Sequence, residues 1–153
     1  MIPVSTSEDY SDVIGRLLVR VYEIHKRVLV KGGGGLEGIL DAAMLHAAVA
    51  RPFATFGGVE LYPSDFEKAA ALFHSLIKSH PFMDGTKRTA FASAIYFLNE
   101  RGHPLQCPLP KDEVVRFCVQ VAEEAARQAE GEAVRPKTIP EIAAWFRGLV
   151  EAE

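Results

Sequence analysis

The chain has 153 residues, a length that suits one domain with its own core. Hydrophobic residues make up 48%, too many for a disordered chain, and no apolar run approaches the roughly 18 residues needed to span a bilayer. With 17 Lys+Arg against 20 Asp+Glu the net charge is −3, which argues against a general nucleic-acid binder yet leaves room for a small basic pocket.

The N-terminal segment lacks the basic and apolar stretches of a secretion signal. Apolar residues at Ile14, Leu17, Leu18, Val21, Ile24 and Val28 then follow helical spacing, with Ser5 and Glu8 as a capping box. The run at residues 32–35, four glycines, breaks this helix. A short helix over 41–50 should end at Arg51, since Pro52 disfavours helical geometry in the residue before it. Residues 53–62 read as an extended flap with Gly57-Gly58 as a two-residue hairpin turn. Ser64 and Glu67 form a second capping box, opening a helix that His80-Pro81 stops. The next helix, capped by Asp84 or Thr86, is apolar nearly all round from 90 to 98, so it should lie in the middle of the protein. Two more follow, over 112–130 and from Thr138 to about Val150. Cys107 and Cys118 are too few for a disulfide framework and lack zinc-finger spacing. The expectation is an all-α bundle of about six helices with a small extended flap. It is one domain over residues 1–153, soluble and cytoplasmic, with neither membrane nor direct nucleic-acid partners.

The chemistry concentrates in residues 80–88, His-Pro-Phe-Met-Asp-Gly-Thr-Lys-Arg. A helix N-terminus presents free N–H groups and the positive end of its dipole, which suits an anion. Gly85 permits close approach, and Lys87 and Arg88 add cations in a first turn where the dipole disfavours them, as though an anion normally sat there. Asp84 is a hard oxygen ligand for Mg²⁺, which takes one or two carboxylates and completes its shell with phosphate and water. His80 stands at the mouth as a titratable base. A solvated helix start would explain any one of these residues, but not their concentration ahead of a buried helix.

Other motifs are weaker. Gly33-x-Gly35-x-x-Gly38 matches a dinucleotide fingerprint by letter, but no strand precedes it, so it reads as a flexible loop. Gly85-Thr86-Lys87 lacks the spacing of a P-loop. His25, His46 and His74 are singletons on helices, suited to hydrogen-bonded partners, and His103 reads as surface. Trp145 and Phe146 read as core.

Residues 80–88 resemble the Fic/Doc signature, H-P-F-x-[DE]-G-N-G-R-x-x-R, in the variant of the Doc (death-on-curing) branch. That branch has Lys at the second glycine and lacks the final Arg; Lys87 and Phe91 stand at those two positions. Gly38-Ile39-Leu40-Asp41, Ala50-Arg51-Pro52, Phe56-Gly57-Gly58, Leu61-Tyr62-Pro63, Glu67-Lys68-Ala69-Ala70, His25 and Phe97-Leu98-Asn99 fit the same family, so the resemblance covers about residues 13–148. It implies that His80 is the base, Asp84 the Mg²⁺ ligand, and Gly85, Thr86, Lys87 and Arg88 the phosphate clamp for ATP. It implies further a toxin that transfers the γ-phosphate to elongation factor Tu and arrests translation, held in check by a Phd-like antitoxin. Thr86 departs from the motif Asn, and its shorter side chain should weaken the anion site; Leu40 and His46 stand where the family usually has Arg and Glu. AMP transfer, as in the Fic branch, and a degenerate nucleotide- or antitoxin-binding module are the alternatives.

Overall fold

The structure, a computed structural model, describes residues 7–35 and 38–150. Helix α1 spans Ser7–Lys31 and buries Leu17, Val21, His25 and Leu29, a stripe of four-residue spacing that places a histidine in the core. The capping box expected at Ser5 lies outside the described residues. Helix α2 spans Ala42–Ala50, with the Asp41 carboxylate accepting from the Met44 N–H at 3.0 Å. Arg51 keeps right-handed helical angles although Pro52 follows it, and the chain tightens into a 3-10 turn over Arg51–Phe53. The expected flap therefore starts later, as strands β1 (Thr55–Phe56) and β2 (Val59–Glu60). Thr55 pairs with Glu60 and Phe56 with Val59 around Gly57 and Gly58, whose φ values of 59° and 80° form the two-residue turn. Lys68, almost wholly buried, pins the hairpin by pairing with Glu60 at 3.2 Å and donating to the Tyr62 carbonyl.

Helix α3 (Asp65–Ser79) opens on Ser64, whose hydroxyl accepts from the Glu67 N–H at 3.1 Å. Helices α4 (Thr86–Glu100), α5 (Lys111–Ala129) and α6 (Ile139–Arg147) complete the bundle, α6 with the full Thr138–Glu141 capping box. The fold is all-α with six α-helices among the described residues and one small hairpin. The centre is α3 rather than α4. Ala69, Ala70, Ala71, Leu72, Phe73 and Leu76 have no exposed surface, and α2, α4, α5 and α6 all pack on this helix. Three successive alanines let neighbouring helices close in on several sides. Helix α4 buries a stripe (Thr89, Ala90, Ser93, Ala94, Phe97, Leu98) and leaves Ile95 and Tyr96 half-buried.

The far side of the core is aromatic. Phe73 lies 5.9 Å from Phe117 and 5.3 Å from Phe146, and Trp145 stacks on Phe117 at 3.8 Å. Glu124 is buried on α5 because the Lys78 ammonium and the Lys137 N–H each donate to it at 2.8 Å. Both cysteines are free thiols. No helix among the described residues is long and apolar enough to cross a membrane.

Candidate active site

The site is the junction of three helix ends: the C-termini of α1 and α3 and the N-terminus of α4. His80 caps α3, its N–H bonding the Leu76 carbonyl at 3.2 Å, with φ 48° and ψ 59°. It is the one non-glycine residue with positive φ among the described residues. Left-handed geometry costs an L-residue on the order of 1–2 kcal/mol, and glycine is the usual residue at this cap. Pro81 and Phe82 then turn inward and are buried, while Met83 and Asp84 are exposed. Short backbone bonds clamp this loop, from Leu40 N–H to the Pro81 carbonyl at 2.8 Å and from Met83 N–H to the Gly38 carbonyl at 3.1 Å. Phe82 stacks on His25 at 4.0 Å, and His25 Nδ1 lies 3.2 Å from the Thr89 hydroxyl. A buried histidine of α1 thus braces both the loop and the first turn of α4.

Neither Asp84 nor Thr86 caps α4. The N-cap is Gly85, in left-handed geometry at φ 73°, with no side-chain cap hydrogen bond among the described residues. The first backbone bond of the helix start runs from Thr89 N–H to the Gly85 carbonyl at 2.9 Å. The N–H groups ahead of it are left for a ligand or water. Thr86 is buried, and its hydroxyl has no hydrogen-bond partner among the described residues. An orphaned buried hydroxyl costs about 1–3 kcal/mol, so its placement at the uncapped helix end suits a ligand with acceptor oxygens. Lys87 is exposed and makes no ion pair or side-chain hydrogen bond among the described residues.

Arg88 behaves differently. Its Nη1 donates to the Val28 carbonyl at 3.4 Å, at the C-terminal end of α1. The dipole end of α1 thereby offsets the unfavourable start of α4, so the misplaced cation that argues for an anion is Lys87 alone. Asp84 faces the glycine run: a Cβ on Gly35 would come within 3.5 Å of Asp84 Cβ and 3.7 Å of its Oδ2. Among the described residues no three His, Cys, Asp or Glu side chains gather as a metal site. A single exposed carboxylate beside an open helix end and two cations fits Mg²⁺, which draws the rest of its shell from phosphate and water. It does not fit zinc.

The six residues singled out in the sequence therefore converge on one place, with His80, Asp84, Lys87 and Arg88 exposed around it, Gly85 half-buried and Thr86 beneath. The sequence reading missed Thr89 and the glycines. The run at 32–35 is a wall of the site and not merely a loop, and its density of glycine was the available signal. His74 and His103 lie elsewhere. His74 Nδ1 accepts from Arg51 at 2.7 Å. His103 is half-buried, paired with Asp65 at 3.0 Å and packed on Phe66, and is not a free surface residue. Phe91 joins the ring cluster of Trp145 and Phe146. Cys118 is no neutral-pH nucleophile, since burial pushes its thiol up to about 11.

The model of the Fic/DOC family matches residues 18–98. A protein named Toxin Doc from Mycolicibacterium smegmatis is 44% identical over 89 residues, covering 58% of this chain and 68% of that protein.

Proposed function

The chain belongs to the Fic/DOC family, and on that premise we propose that it is a Doc-type toxin transferring the ATP γ-phosphate to a hydroxyl of a translation factor. The observation that carries the reading is the start of α4, where an uncapped helix end, the orphaned Thr86 hydroxyl and the unpaired Lys87 meet beside exposed His80. Phosphoryl transfer needs little from a protein beyond positioning and charge neutralisation, and these groups supply both.

His80 would accept the proton of the target hydroxyl at an imidazole nitrogen. As that oxygen bonds to the γ-phosphorus, the bond to the bridging oxygen breaks and ADP leaves. Lys87, Arg88 and the N–H groups of α4 hold the phosphate oxygens and offset their charge. Asp84 would hold Mg²⁺, which when bound further neutralises the phosphates. Two substitutions favour γ- over α-transfer. Lys87 fills the place of the motif's second glycine, and Phe91, committed to the aromatic cluster, offers no grip on a distal phosphate. ATP then lies with its γ-phosphate nearest His80. A Phd-like antitoxin is the partner that this reading entails.

The test uses elongation factor Tu, the target that the Doc resemblance implies, with ATP labelled at either the γ or the α phosphate. The expected result is transfer of the γ label only, lost in His80→Ala. Transfer of the α label with a mass gain of AMP overturns the kinase reading in favour of AMP transfer. No transfer of either label to this target, with binding retained, points to a binding module with little catalysis.

A further inference from the structure

Gly32 follows α1, its N–H bonding the Val28 carbonyl at 3.0 Å. Gly33, Gly34 and Gly35 have φ values of 87°, 99° and 148°, but Gly32 is not left-handed, so its backbone does not demand glycine. Its surroundings do. A Cβ at Gly32 would lie 1.5 Å from Arg88 Nη1, 2.7 Å from Arg88 Cζ and 3.1 Å from the Val28 carbonyl oxygen, whereas at Gly33 and Gly34 it would meet nothing within 4 Å among the described residues. The same guanidinium reaches the start of α4, because a Cβ on Gly85 would lie 3.7 Å from Arg88 Nη2. One amino group of Arg88 is therefore seated on Gly32 and the Val28 carbonyl, and the other stands beside the N-cap of α4.

We propose that Gly32 is a positioning residue for the phosphate clamp: by lacking a side chain it seats Arg88 against the end of α1, with its remaining donors held beside the anion site. This rests on the anion-site reading given above. The physical logic is preorganisation. An arginine tethered before the ligand arrives loses less rotamer freedom on binding than one free in solvent. The carbonyl end of α1 also stabilises its charge while the site is empty of phosphate. Gly32 lies 56 positions before Arg88 and outside the signature, so the motif does not announce it.

The test is a double-mutant cycle of Gly32→Ala and Arg88→Ala, read by calorimetry with ATP and with inorganic tripolyphosphate. Alanine suits the backbone at 32; the severe clash is with the far end of a flexible side chain, and the Val28 carbonyl at 3.1 Å needs to give by only a few tenths of an ångström in either background. Gly32→Ala should therefore displace the guanidinium and leave the bundle folded. Affinity for both ligands should fall about tenfold, the order of one lost charge-assisted hydrogen bond, when Arg88 is present, and should not change when Arg88 is already Ala. Equal losses in both backgrounds, or no loss with Arg88 present, overturn the proposal. Should binding by Arg88→Ala be too weak to follow, melting temperatures of the same four proteins decide. The Val28 carbonyl contact is common to both backgrounds, so Gly32→Ala should lower Tm by more with Arg88 present than with Ala at 88; equal shifts overturn the proposal. A wild-type chain that binds neither ligand overturns the anion site itself, and the melting cycle then shows separately whether Gly32 seats Arg88.

Discussion

His80 occupies a helix cap where glycine would be cheaper, and it is exposed, so its side chain contributes no core packing. Strain held at a residue placed beside the proposed anion site is the pattern of a functional position. His80→Gly is therefore expected to raise stability by about 1 kcal/mol while abolishing phosphate transfer. Thermal melts set beside the γ-label assay check both halves, and a destabilised variant would show that the imidazole serves the fold. Thr86 makes the same point from the interior. Thr86→Val keeps the shape, removes an orphaned hydroxyl, and should stabilise the chain by about 1 kcal/mol while weakening ATP binding. Tighter ATP binding by this variant would remove the hydroxyl from the ligand's surroundings.

At the scale of elements, the site is made by ends: α3 delivers His80, α4 delivers Thr86, Lys87 and Arg88, and α1 supplies the carbonyl that anchors Arg88. Helix α3 also carries His74 against Arg51 of the 3-10 turn. Burial, then the charges of Arg51 and Lys78, lower the His74 pKa from 6.5 to about 4. Between those values the unfolded chain binds more protons than the folded one, so stability falls as pH drops from about 6.5 towards 4. His74→Gln can still accept from Arg51 but cannot be protonated. The Tm advantage of the wild type over this variant should therefore shrink between pH 7 and pH 4.5. A difference that stays constant over that range would mean that His74 does not titrate with folding.

For the whole molecule, placement of the site depends on a core whose centre is α3. Phe73 has no exposed surface and meets both Phe117 and Phe146. Phe73→Ala should cost about 3–5 kcal/mol, a large share of a typical stability of about 5–15 kcal/mol. That corresponds to a fall in Tm of roughly 10 °C for a domain of this size. Differential scanning calorimetry measures it, and a change of only a degree or two would contradict the central place given to α3.

The features legible in the sequence are those whose physics is local. The Ser64 cap of α3, the Gly57-Gly58 turn and the break at the glycine run join residues at most three or four positions apart and formed where expected, although the Ser64 hydroxyl, and not its backbone N–H, donates to the Glu67 carboxylate, which leaves that capping box half made. The stretch 80–88 was legible for the same reason, since a loop and the helix turn after it keep their donors and charges together whatever surrounds them. Which helix is central was not legible, because α3 and α4 carry equal numbers of large apolar side chains, and it is the small alanines of α3 that admit neighbours on several sides. Nor was the cap of α4, since the Thr86 hydroxyl is buried and bonds nothing among the described residues, its own helix end included. His25 and Thr89 stand 64 positions apart, and Val28 and Arg88 60 apart. Composition and periodicity are blind to such pairs. Only the packing of α1 against α4 brings them within hydrogen-bonding distance, and so it was tertiary structure that decided where the arginine of the motif points.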